Sequence, residues 1–294
     1  MPDLITLDIE NFWRAFDTAE GMPVENQVRI YEDLYLNRGS RGSRGFREFA
    51  TSTLADSEAF AAFVVRHDTF YRSVRFQIYR LREFEGEIRH FYRRLKRLYP
   101  PIEIPNIYCV MGRLSCLTMG IDSGILLAAE VFGLTDRAMS EDLTPEEARF
   151  LRPMALLPDA VIHEVVHRQA RVAANETESL LTRSVREGLA VLVTEHVTGR
   201  KDESAPHIYG DAHEREVWAA FRGAMRGTDA SGWLGPSPGD QNRPANIGGY
   251  VGCQICRAFV RDVPQGEIVR TLIEVEDYED LFEKSGYEGF SNGT

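Results

Sequence analysis

A chain of 294 residues, 43% hydrophobic and 27% charged, can bury a substantial core as one large domain or two modest ones. Its net charge of −11 argues against a nucleic-acid binder, whose footprint is basic, and no run of about 18 consecutive apolar residues supplies a membrane span. Met1 to Asn11 carries acidic residues and no apolar signal-peptide core, which reads as a cytoplasmic protein or one whose export signal has been removed.

Residues 8–19 have the pattern of a short amphipathic helix, with Ile9, Phe12, Trp13 and Phe16 on one face. Pro23 suits the first turn of a second helix running to about Leu36. Asn37 to Gly45 mixes Gly, Ser and Arg and reads as a surface connection, with an anion-binding loop as the alternative. From Asp56 to Leu98, apolar residues such as Phe60, Val64, Tyr71, Val74, Ile78 and Leu81 recur at three- and four-residue steps, so a long helical stretch is expected. Gly86 is a point where it can kink or divide. The basic cluster His90, Arg93, Arg94, Lys96 and Arg97 falls near its C-terminal end, where positive charge suits the helix dipole, and reads as a solvated face. Pro100 and Pro101 stop the helix.

Ile104 to Met111 and Gly124 to Phe132 are then rich in apolar residues, with Gly112 and Gly120 between them, and predict two or three strands of a small antiparallel sheet. No glycine-rich phosphate loop follows a strand, which removes nucleotide-dependent chemistry. The cysteines, Cys109, Cys116, Cys253 and Cys256, lie in apolar surroundings and read as buried thiols. A Cys109–Cys116 disulfide and a structural zinc site built on the Cys253/Cys256 CxxC spacing are the alternatives.

Thr144-Pro-Glu-Glu147 is a helix start with Pro first and Glu third. Pro153 and Pro158 open the next helix, which carries His163-Glu164-Val165-Val166-His167. Leu157, Val161, Ile162, Val165 and Val166 leave it little solvent-facing surface, so it is expected to be central. Histidines four apart project from one helix face, a spacing that suits two imidazoles on one Zn²⁺ with Glu164 in reach of a metal-bound water. Unpartnered polar groups in a core are costly, and a metal would partner these.

Asn175 with Glu178 suits the N-cap of a further helix over 176–198, closed by Gly199. If the two helices form an antiparallel hairpin turning near 174–175, Glu187 lies level with His163 to within one turn at about 1.5 Å per residue. Glu178 is then too near the turn and Glu195 too far from it, which makes Glu187 the third ligand. Small neighbours, Ser184, Gly188 and Ala190, let the helices approach closely. Residues 228–246 form a long loop, functional or disordered, in which Trp233 suits a cleft rim. Gly248 to Val260 returns to an apolar helix, and 268–273 and 278–284 suggest two closing helices.

An HExxH helix followed by a glutamate ligand on a second helix resembles the gluzincin metallopeptidases. More specifically, Phe12-Trp13, Ile162 to His167, Glu187-Gly-Leu-Ala190, Ile247-Gly-Gly-Tyr250 and Ser285-Gly-Tyr287 resemble a bacterial family of predicted Zn-dependent proteases related to the gliding-motility lipoprotein B proteins. The resemblance implies a zincin-like α+β fold, predominantly α-helical, with a small antiparallel sheet packed on the HExxH and glutamate-ligand helices. It implies a single catalytic domain over 1–294: a helical scaffold to 100, the sheet and metal helices over 101–200, and a helical part over 201–294. It also implies zinc on His163, His167 and Glu187 and a peptide or protein substrate. A lipoprotein cysteine near the N-terminus is absent, and Val191 stands where some gluzincins place an Asp that orients a zinc-bound histidine.

The chemistry expected is metal-assisted hydrolysis with Glu164 as general base. Oxyanion-donor candidates are Tyr250, His207, Tyr209, His213 and Arg243. Tyr250 is favoured because Gly248 and Gly249 permit close backbone approach, against the reading that it caps a core helix. The competing function is a non-catalytic helical binding or scaffold protein that keeps a metal for structure.

Overall fold

The computed structural model describes residues 3–38, 40, 57–115, 117–170, 178–235 and 243–289. Cys116, Asn175 and most of the expected Gly/Ser/Arg loop lie outside the described residues. Contacts divide the chain into two compact units, Met1–His90 with Ile104–Val165, and Phe91–Glu103 with Val166–Thr294.

In the first unit, α1 (Leu7–Ala19) buries the predicted Ile9, Phe12, Trp13 and Phe16. Phe12 is the hub of an aromatic cluster, with ring centroids 4.9 Å from Trp13, 5.4 Å from Tyr71 and 5.5 Å from Tyr35. Pro23 precedes α2 (Val24–Tyr31), which ends in a π turn, Glu32–Leu36. The expected stretch from Asp56 to Leu98 is helical but broken, into α3 (Ser57–Arg66), α4 (Asp68–Tyr79), a 3₁₀ segment (Arg80–Phe84) and α5 (Glu85–Leu98), which passes into the second unit after His90. One break is at His67, buried against Phe63 at 4.3 Å between centroids and placed 3.3 Å from Glu147. The other is the 3₁₀ segment just before Gly86. A 3₁₀ turn repeats every three residues, so the apolar spacing passes through it unchanged.

The sheet of this unit contains β1 (Leu4–Ile5), β2 (Asn106–Val110), β3 (Thr118–Ile121) and β4 (Gly124–Ala128), in the order β1-β2-β4-β3. It is mixed, not the antiparallel sheet expected: β2 runs parallel to both β1 and β4, and only β3–β4 is an antiparallel hairpin. Strands buried on both faces read as continuous apolar runs, and every residue of β4 and all but the first of β2 is buried. The second apolar run also stops being a strand at Ala128 and turns into a 3₁₀ segment, Ala129–Gly133. Thr144 and Glu147 form the predicted capping box of α6 (Pro145–Ala148). Helix α7 (Leu157–Gln169) carries the two histidines and passes from the first unit into the second after Val165.

The second unit is helical: α8 (Leu180–Thr198), α9 (Ala205–Ala224), α10 (Ile247–Phe259), α11 (Ile268–Ile273) and α12 (Tyr278–Ser285). Helix α8 starts later than expected. Ser179 caps it by accepting from Thr182 N, and Gly199 closes it at φ 77°. Its core is the crossing of α8 and α10. A Cβ on Gly188 would fall 1.9 Å from Cys253 N, and one on Gly252 would fall 1.7 Å from Ser184 O, so each helix backbone rests directly on the other. Among the described residues no helix is long and apolar enough to cross a membrane.

Candidate metal centre

The helix rise sets His163 and His167 one turn apart on α7, both half-buried. In the second unit, Glu187 on α8 brings Oε1 to 3.5 Å from His167 Nε2. One ligand atom from each of His163, His167 and Glu187 lies within 4.8 Å of the other two, and no other such group of His, Cys, Asp or Glu occurs among the described residues.

Neighbouring residues fix Glu187. A Cβ on Gly249, in the first turn of α10, would be 3.6 Å from Glu187 Cβ, so that helix start lies against the glutamate. Glu178, expected as a partner of Asn175, which lies outside the described residues, holds Arg186 through two hydrogen bonds of 2.7 and 2.5 Å. The guanidinium of Arg186 also sits 5.7 Å from the Tyr278 ring centroid.

Glu164 points from α7 toward the sheet of the first unit, where Thr118 Oγ1 donates to its Oε2 at 3.1 Å. Sequence reasoning missed Thr118. It lies in the short segment Thr-Met-Gly-Ile, which carries no motif, and only the pairing of β3 with β4 places it.

The remaining predicted residues have partners of their own. Tyr250, the favoured oxyanion donor, is 1% exposed, and its hydroxyl accepts from Gln254 Nε2 at 2.9 Å. Its ring fills the space above Gly210 and meets His207 edge-on at 5.5 Å. Burial pushes its pKa well above 10. His207 is buried beside Asp202, Nε2 to Oδ2 3.7 Å, and burial lowers its pKa. Tyr209 and His213 stack at 4.2 Å, and Arg243 lies 4.3 Å from the Trp233 ring centroid. Trp233 itself is buried against Phe221 and does not form a rim. These contacts suit a packing role for Tyr250, the second of its two readings. Tyr250→Phe is expected to cost about 1 kcal/mol of stability for the lost hydrogen bond. It should leave kcat within about threefold, whereas an oxyanion donor would cost about 10²–10³. Thermal unfolding and steady-state kinetics of the variant check this.

Cys109, Cys253 and Cys256 are free and buried. Burial pushes Cys253 up to about 12 and raises the other two further, so all three are thiols in the metal-free protein.

Taken together, these observations define a predominantly helical α+β protein with a His-His-Glu group on two neighbouring helices. A family model described as gliding motility protein GldB matches residues 6–289, and the chain belongs to that family. No curated protein and no solved structure matches the chain.

Proposed function

We propose that the chain is a zinc-dependent hydrolase, a peptidase that cleaves amide bonds in peptide or protein substrates. The reading is carried by the convergence of His163, His167 and Glu187 within 4.8 Å, with Glu164 between the histidines on the same helix. Two imidazoles and one carboxylate suit zinc and leave a fourth position for substrate or water, whereas structural zinc is normally closed by Cys and His. When bound, zinc supplies Lewis acidity and brings the pKa of a water toward neutrality. Glu164, held by Thr118, takes a proton from the attacking water and delivers it to the leaving amine. Strand β3 is the edge of its sheet, so an extended peptide laid along it would pass Thr118 and Glu164.

Elemental analysis of the purified protein tests the site: about one zinc per chain is expected, falling sharply in His167→Ala and Glu187→Ala. Zinc content unchanged by both substitutions would overturn it. Cleavage of a mixed peptide library by the zinc-loaded protein tests the activity. An intact zinc site that cleaves nothing in the library would favour the scaffold reading.

A further inference from the structure

Glu130 follows β4 in the otherwise apolar run Ala128-Ala-Glu-Val-Phe132 and is wholly buried, at 0% exposure. Its Oε2 accepts from Gly112 N at 2.7 Å and its Oε1 from Leu114 N at 3.1 Å. Among the described residues no Lys, Arg or His pairs with it. The same short backbone is gripped by two tyrosines. Tyr71 donates to Gly112 O at 2.6 Å. Tyr35 donates to Met111 O at 2.7 Å and accepts from Met111 N at 2.8 Å. Leu114 is held in the left-handed region, φ 52°, which a leucine adopts only under constraint. This clamped backbone leads out of β2 toward β3, whose Thr118 holds Glu164.

Three backbone amides, of Gly112, Leu114 and Glu130 itself, do not replace the hydration of a wholly buried carboxylate with no paired cation among the described residues. We propose that Glu130 is a positioning residue for the candidate site: as a neutral acid it clamps the Met111–Leu114 backbone that leads toward Thr118, and as it ionises it releases that backbone. The link to catalysis rests on the peptidase reading; the clamp itself does not.

Burial drives the hydroxyl pKa values of Tyr71 on α4 and Tyr35 in the π turn far above 10, so both stay neutral. Asp8 of α1 bears on Tyr35, and Arg113 and Tyr31 bear on Tyr71. Burial pushes the Glu130 carboxyl up to about 7 from 4.5. The clamped form therefore holds its proton more tightly than an opened, hydrated form. Rising pH favours opening from about 4.5 to about 7 and adds nothing beyond.

Amide exchange at Gly112, Leu114 and Thr118 in the full chain, read by NMR and corrected for intrinsic base catalysis, tests the proposal. The opened population is expected to rise about 70-fold between about pH 5 and about pH 8, and to lose that pH dependence in Glu130→Gln. A flat profile in the parent, a rise retained in Glu130→Gln, or a Thr118 amide that stays protected while Gly112 opens would each overturn it. If Glu130→Gln does not fold, the Glu130 carboxyl carbon resonance of the parent decides: a midpoint near 7 tracking the exchange supports the clamp, and an unshifted one overturns it. The two readings fail separately. The expected exchange profile with no peptide cleavage sinks the peptidase and leaves the clamp, and cleavage with a flat profile does the reverse.

Discussion

Glu164→Gln is expected to lower kcat for peptide hydrolysis by about 10²–10⁴ while zinc content stays unchanged. The amide is nearly isosteric with the carboxylate and can still accept the hydrogen bond from Thr118, so the helix and the edge strand keep their places. What it loses is basicity. Glu164 is not among the three clustered ligands, so metal binding should be indifferent to the change. A loss confined to kcat, with KM little altered, marks an interaction made in the transition state and separates this outcome from a disturbed binding surface. Steady-state kinetics on a cleaved library peptide, with elemental analysis of the same preparations, gives the answer. A variant that keeps its zinc and cleaves as fast as the parent removes Glu164 from the chemistry.

The second large effect is structural. Gly188→Ala is expected to destabilise the protein by about 3 kcal/mol or more, because the added methyl meets backbone and not a side chain that can rotate away. Its Cβ would lie 1.9 Å from Cys253 N and 2.0 Å from Gly252 C, so α8 and α10 must separate along their crossing. At roughly 3 °C per kcal/mol for a unit of this size, the unfolding midpoint falls by about 10 °C. Zinc affinity should fall with it, since residue 188 adjoins Glu187 and the start of α10 rests on that glutamate. Gly223→Ala is the control. That glycine is exposed on α9 with nothing within 4 Å of an added Cβ, and Ala there should stabilise by about 0.5–1 kcal/mol. Circular dichroism melts of both variants and a zinc titration check the pair; equal melting points would show that the helices have slack the structure does not display.

Much of the helical part was legible because its signals are local. Pro23, the Thr144/Glu147 box and Gly199 each marked a helix end, and the apolar residues of α1 and α10 fell on the faces that are buried. The convergence of His163, His167 and Glu187 was legible for a related reason: rise per residue is fixed in a helix, so counting from a turn estimates the level of each side chain. The turn near 174–175 from which the count starts lies outside the described residues, and α8 begins at Leu180 and not near 176. The break at Arg80–Phe84 was hidden by the three-residue steps that helix and 3₁₀ share, and the one at His67 is a single non-helical residue that leaves the apolar spacing in place.

The sheet and the supports of the site were not legible. A two-residue strand such as Leu4–Ile5 is too short to carry a period, and only its partner β2 makes it a strand. The glycines before Tyr250 also serve the approach of α10 to α8, a packing role that the local sequence does not separate from a chemical one.

The sequence by itself determined several helix ends, which faces are apolar, and that two histidines and a glutamate could meet, since each follows from backbone geometry over a few residues. Only the tertiary structure decided that Thr118 meets Glu164 and that Glu130 grips Gly112 and Leu114. Those pairings join residues far apart in the chain, among many chemically equivalent threonines and glutamates. Which of them meet is set by how strands and helices pack, and no local pattern records that.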